Sequence, residues 1–146
     1  MLTDIGLLVA RLMLSLVFVW SAMDKTMNWS AGLSEITTAG LDYAPYLLAA
    51  TVAVQFAGGL SVALGILARL GGLALAGFTI VATLMFHAFW FAADSTGYQR
   101  ELTTFLEHVA IVGGLLTIIF IGPGALSIDQ HLDLKLTRGP RPQRID

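Results

Sequence analysis

Cysteine is absent from this chain, and charge is scarce, with only 12% of residues being Asp, Glu, Lys or Arg. Without cysteine there is no disulfide, no thiol relay, no covalently attached c-type haem and no thiolate-held iron–sulfur cluster. Any redox chemistry must therefore use a bound group. A charged fraction about half the roughly 25% of a soluble domain speaks against a water-soluble fold. The formal net charge of −2, with no basic groove outside the extreme C-terminus, excludes nucleic acid as a partner. Proline is also rare, and two of the four, Pro45 and Pro123, punctuate the ends of apolar segments.

What is present in abundance is hydrophobic sequence, 56% of 146 residues. A bilayer core of about 30 Å needs about 20 apolar residues at 1.5 Å each. Four stretches qualify, 5–23, 46–67, 70–92 and 102–121. The first follows Met1-Leu2-Thr3-Asp4, which lacks a basic residue, so it reads as a retained helix rather than a cleaved leader. The expected fold is all-α, a four-transmembrane-helix antiparallel bundle. Two short interfacial helices accompany it. One lies in the 24–45 connection, where Trp29 and Tyr43 flank Leu33 and Ile36. The other follows the Gly122-Pro123-Gly124 stop, where Ser127 and Gln130 have capping-box spacing. The domain division is a membrane domain over 1–130 and a basic tail over 131–146.

The Arg69 turn and the tail with Lys135, Arg138, Arg141 and Arg144 hold five basic residues, while the other two loops hold Lys25 and Arg100. The positive-inside rule then places both termini in the cytoplasm.

An ionisable group inside a span costs a few kcal/mol and is by default a functional-site hypothesis. The ionisable Arg11, His87, Glu107 and His108, together with the polar amide Gln55, are the groups to weigh. On the third span Gly72, Ala76, Thr79, Thr83, His87 and Trp90 recur at three- and four-residue steps, a small-and-polar stripe suited to a bundle interior. His87 and His108 both fall roughly 8 Å inside the outer boundary and can meet, with Glu107 beside them and Gln55 somewhat deeper. Phe86, Phe89, Trp90 and Phe91 gather around His87. The sharp reading is a pocket for a flat hydrophobic ring such as a quinone, lined by Gln55, His87, Trp90, Glu107 and His108, with His87 donating a hydrogen bond to a carbonyl oxygen.

Plainer readings stand beside it. His87 can be a core histidine bonded to a threonine, Glu107 and His108 can be wetted from the boundary, the aromatics can be an interfacial belt, and Gln55 can be interhelical glue. Arg11 reads as structural, with Asp129 as its counter-ion. Glycines 58, 59, 71, 72, 113 and 114 read as packing positions. Two facing histidines also suit haem iron, a weaker alternative. A metal site is not expected, because adjacent residues 107 and 108 point about 100° apart on a helix.

The ordered motifs resemble the DoxX family of small four-helix membrane proteins. They are Arg11-Leu12-Met13-Leu14 with Phe18 and Ser21 to Lys25, then Gly58-Gly59 through Leu64-Gly65 and Arg69, then Phe86-His87-Ala88-Phe89-Trp90. Phe105 through Val112-Gly113-Gly114-Leu115-Leu116 and Gly122-Pro123-Gly124 with Ser127-Ile128-Asp129 complete the set. The chain departs from the pattern at Gln55, where many relatives carry glutamate, and at Glu107-His108, where many carry lysine and asparagine. The resemblance implies a multi-pass protein of the bacterial cytoplasmic membrane, associated with redox systems. Some relatives look like membrane subunits of thiosulfate-oxidising, quinone-reducing enzymes, and others accompany oxidative-stress proteins.

The leading functional reading is a small membrane subunit of a quinone-linked redox or respiratory assembly, accessory to a quinone-dependent oxidoreductase, with quinone the one cofactor suggested. The alternatives left open are a non-catalytic scaffold packed against a larger complex and, less favoured, a small-solute transporter. The expected partners are the lipid bilayer, other membrane or peripheral subunits, and a second copy of the chain.

Overall fold

The computed structural model describes residues 2–132 and consists of helices joined by short turns. Four are long: α1 (Leu2–Met27), α3 (Ala44–Leu64), α4 (Ala68–Phe86) and α5 (Ser95–Phe120). Two are short, α2 (Trp29–Thr38) between the first two long helices and α6 (Ile128–Leu132) after the last. A single 3-10 turn, Phe89–Phe91, links α4 to α5. With that turn counted into α4, four helices are long and apolar enough to cross a membrane. The expected basic tail, but for its first two residues, lies outside the described residues.

Burial shows the same thing from the opposite direction. Leu12, Met13, Leu16 and Trp20 of α1 are exposed, while Arg11, Ser15, Phe18 and Ala22 are buried. Inside the bundle Gln55, Thr79, Thr83 and Asp129 are also buried, and large apolar side chains cover its outside. A water-soluble helix buries its apolar stripe and shows its polar face. This inversion is what a hydrocarbon solvent selects, since polar side chains there must find partners within the protein.

α1 packs against α3, α3 against α4 and α4 against α5, an antiparallel up-and-down order. Small residues allow the close approaches. A Cβ on Gly58 would come within 2.7 Å of Leu75 on α4, so glycine is what admits that leucine. Of the six glycines expected to pack, Gly113 alone meets no neighbour and faces outward. Phe18, Val62, Leu75, Leu115 and Ile118 form the apolar core in the half of the bundle that holds the N-terminus. In the other half Ile36 of α2 packs with Ala44 and Leu48 of α3, laying α2 across the helix ends.

The helices differ from the expected spans in that α1 runs on to Met27, and at two further places. The third long helix ends at Phe86, with His87 as its C-cap, so the stripe stays buried through Gly72, Ala76, Thr79 and Thr83 but does not continue to Trp90. No glycine or proline marks that end. α5 begins at Ser95, two turns earlier than its apolar run, because the Asp94 side chain accepts a hydrogen bond from Gly97 N at 2.5 Å and caps the helix.

Beyond α5, Ser127 Oγ accepts from Gln130 N at 3.4 Å, the expected cap of α6. The Arg11–Asp129 pair takes another form than a direct contact. Arg11 donates to the carbonyls of Pro123, Ala63 and Leu126 at 2.5, 3.2 and 2.9 Å. Asp129 accepts from the amides of Leu67 and Ala68 at 2.8 and 3.1 Å, capping α4. The reason is local supply. Helix ends leave carbonyls and amides unpaired, and the two charges reach those first.

Candidate functional site

At the end of the bundle away from the termini, a cavity of about 470 Å³ opens between α1, α3 and α4, roofed by α2. Its wall is mostly apolar, and its rim includes the exposed side chains Leu47, Val54, Val81 and Met85. The mouth therefore opens onto a surface that faces lipid. Volume and lining are those of a small-molecule pocket with a few placed polar groups.

The polar groups come from every long helix. α4 contributes a threonine ladder, Thr79 Oγ1 donating to Leu75 O at 2.7 Å and Thr83 Oγ1 to Thr79 O at 2.6 Å. Thr83 Oγ1 also lies 2.7 Å from His108 Nδ1 on α5. One turn beyond, His87 leaves the helix, its amide still bonded to Thr83 O at 2.9 Å, and its Nδ1 meets Glu101 Oε2 at 2.8 Å. The two imidazole rings stand edge to face, with centroids 5.1 Å apart. Because α5 already runs from Ser95, Glu101 is helical, and it and His108, seven residues on, lie two turns apart along one helical face. Arg100 braces the other carboxylate oxygen, Nη2 to Glu101 Oε1 at 3.0 Å.

Opposite the histidines is a second polar group. Gln55 is 5% exposed and donates through Nε2 to Ser21 Oγ at 3.1 Å, and Lys25 Nζ approaches the same oxygen at 3.2 Å. Lys25 reaches the cavity because α1 continues to Met27, a turn past the apolar run. Gln55 Oε1 is buried and has no hydrogen-bond partner among the described residues. Glu35 of α2 completes the polar lining on the roof side.

Of the five residues expected to share a pocket, Gln55, His87 and His108 line this cavity. Trp90 and Glu107 do not. Trp90 sits in the 3-10 turn, half exposed, against Phe89 and Phe105 at 5.0 and 6.2 Å between ring centroids. Phe89 also packs on Tyr98 at 5.6 Å, so these rings close the α4–α5 corner, and only Phe86 of the aromatic group lines the cavity. Glu107 is exposed on the outside of α5. The carboxylate beside His87 is Glu101. The trio His87, Glu107 and His108 is accordingly not assembled around one point.

Comparisons with known proteins agree with a membrane-spanning chain. The chain is 31% identical over 135 residues to the inner membrane protein YqjF of Escherichia coli (strain K12), covering 92% of this chain and 97% of that protein. It is 27% identical over 129 residues to the inner membrane protein YphA of the same organism, covering 86% of this chain and 89% of that one. No solved structure matches it. The DoxX family model matches residues 6–88, from the first turns of α1 to just past His87. On that match and the near full-length likeness to YqjF, this four-helix integral membrane protein belongs to the DoxX family.

Proposed function

We propose that the chain is a small subunit of a quinone-linked redox assembly in the bacterial inner membrane, binding the ring of a lipid-soluble quinone or quinol in the cavity. The observation that carries this is the cavity itself, mostly apolar, with a rim of exposed apolar side chains and two imidazoles meeting at 5.1 Å on one wall. A ring with a long isoprenoid tail enters from lipid and leaves its tail there, which a lateral mouth permits. The residues fit the group. Phe78 and Phe86 offer apolar faces, Lys25 and Ser21 offer donors to a ring oxygen, and the histidines face the ring from the α4–α5 side.

A bound quinone would supply two-electron, two-proton chemistry. The chain's part is to hold the ring, keep water from its faces and handle protons at the imidazole nitrogens. With termini in the cytoplasm, as the positive-inside count favours, the cavity lies toward the periplasmic face and Glu101 carries protons to that side.

Glu107 supports the assembly part of the reading. A carboxylate on the lipid-facing surface of a spanning helix is costly, and a donor on a neighbouring subunit relieves that cost.

The test is extraction and mass spectrometry of protein purified in native-lipid particles. Near-stoichiometric quinone in the native protein, lost in Ala82→Phe, which fills the cavity from α4, is the expected result. Quinone at the level of the surrounding lipid in both proteins would overturn it.

A further inference from the structure

The hydrogen bonds around the two imidazoles determine what each ring can offer an occupant. Thr83 has one hydroxyl hydrogen. A carbonyl can only accept, so the 2.6 Å contact with Thr79 O takes that hydrogen. The 2.7 Å contact between Thr83 Oγ1 and His108 Nδ1 then requires the hydrogen to be on Nδ1. At His87 the partner is a carboxylate oxygen at 2.8 Å, which again only accepts, so Nδ1 is the donor there too. In its neutral form each ring is thereby held in the same tautomer, and Nε2 of each, which has no protein partner among the described residues, is then a hydrogen-bond acceptor.

The opposite wall also holds acceptors, Gln55 Oε1 and the Glu35 carboxylate, but it adds donors that the histidine side lacks. Ser21 Oγ already receives Gln55 Nε2 and Lys25 Nζ, so its own hydrogen and the remaining ammonium hydrogens are available to donate. The cavity thus has an accepting pole at His87 and His108 and a donating pole at Lys25 and Ser21.

Resting on the ring-binding reading above, we propose that the site selects the hydroxylated, reduced form of its ring over the oxidised form, with Glu101 and Thr83 as the positioning residues that set this preference. A quinol hydroxyl donates to a bare Nε2 while a ring oxygen accepts from Lys25 or Ser21, so it satisfies both poles. A quinone brings only carbonyl lone pairs and leaves the accepting pole facing them. A site built to bond a hydroxyl rejects the analogue without one by more than apolar contact alone achieves, so a preference of roughly tenfold to a hundredfold is expected. His87 is therefore an acceptor toward the reduced ring, not the donor to a carbonyl that its position in the sequence suggests.

The experiment measures partition of a short-tailed benzoquinol and the matching benzoquinone between protein-loaded and empty nanodiscs, in mildly alkaline buffer without oxygen. The side-chain nitrogen spectrum of ¹⁵N-histidine-labelled protein is recorded in parallel without ligand. The expected result is a quinol preference of about tenfold or more in the native protein, with hydrogen on Nδ1 and a bare Nε2 at both residues. Thr83→Val lowers the preference and frees the His108 tautomer, and Thr83→Ser restores both. Should Thr83→Val fail to fold, Glu101→Ala, at a partly exposed site, makes the same test through His87. Equal binding of the two forms, or hydrogen on Nε2 in the native protein, overturns this inference while leaving the ring-binding reading in place. Retention of neither form overturns both.

Discussion

The two ends of the bundle solve the same problem, polar groups inside a membrane protein, in different ways. At the end nearer the termini the partners are backbone. Arg11 donates to three carbonyls, Asp129 accepts from two amides, and Arg69 reaches the carbonyls of Ile119, Phe120 and Ile121 at the end of α5. Asp129 N in turn bonds Gly65 O at 2.8 Å, tying the turn between α3 and α4 to the segment after α5. Charged groups here serve as caps for helix ends, whose free carbonyls and amides need partners in a medium without water. At the far end the partners are side chains: His87 with Glu101, His108 with Thr83, Gln55 and Lys25 with Ser21. Those contacts surround open space, and each side chain keeps a donor or acceptor in reserve. One end closes the fold, and the other keeps its valences for a ligand.

If that division is right, the largest losses of stability come from the closed end. Arg11→Met strips three carbonyls of their donor and leaves the Asp129 charge buried without its neighbouring cation, a change expected to cost about 3–5 kcal/mol. Thermal unfolding in detergent should show it plainly. A loss under about 1 kcal/mol would mean water enters this end and the knot is not structural.

Gly65→Ala comes next. Gly65 has φ +69, and a Cβ there would lie 2.5 Å from Ser127 Cβ. The backbone strain alone is about 1–2 kcal/mol, and Ser127 must also move, so a loss of about 2 kcal/mol is expected from the same melt.

The cavity end should be more forgiving of stability and less of binding. Thr83→Val keeps the shape and removes two hydrogen bonds, the one to Thr79 O and the one with His108 Nδ1, together worth about 1–2 kcal/mol. Ala82→Leu adds apolar volume into open space and should leave the melting temperature nearly unchanged, within about 0.5 kcal/mol, while abolishing ring binding in the nanodisc partition. A substantial loss of stability from Ala82→Leu would show that the cavity is tightly packed in solution and the contrast between the ends false.

How much of this was legible in the sequence follows from what each feature depends on. The four spans were readable because each depends on its own run of apolar residues. Arg11 and Asp129 were readable as charges needing compensation, but their partners are backbone groups, which no residue letter marks. The end of α4 at Phe86 was not readable. Nothing local stops the helix there, and His87 turns away to contacts with Glu101 and His108, which are tertiary. The early start of α5 did have a signal, Asp94 with Gly97, but the first two turns are polar and an apolar-run criterion passes over them. That omission carried Glu101 into a loop and left Glu107 as the apparent carboxylate beside the histidines.

The smallest expected effect separates those two glutamates. Glu101→Gln should change stability by no more than about 0.5 kcal/mol, since the site is partly exposed and such pairs contribute little, and Glu107→Gln, which takes a charge off the lipid-facing surface, should not lower it. Their effects on His87 should differ. Glu101 Oε2 is 2.8 Å from His87 Nδ1, and an amide there can present either its oxygen or its NH₂ group, so the ring is no longer held to one tautomer. The His87 nitrogen resonances should therefore shift or broaden in Glu101→Gln and stay where they are in Glu107→Gln. A reversed outcome would return Glu107 to the site and place the charge that orients His87 on the outer face of α5, against the division between the two ends.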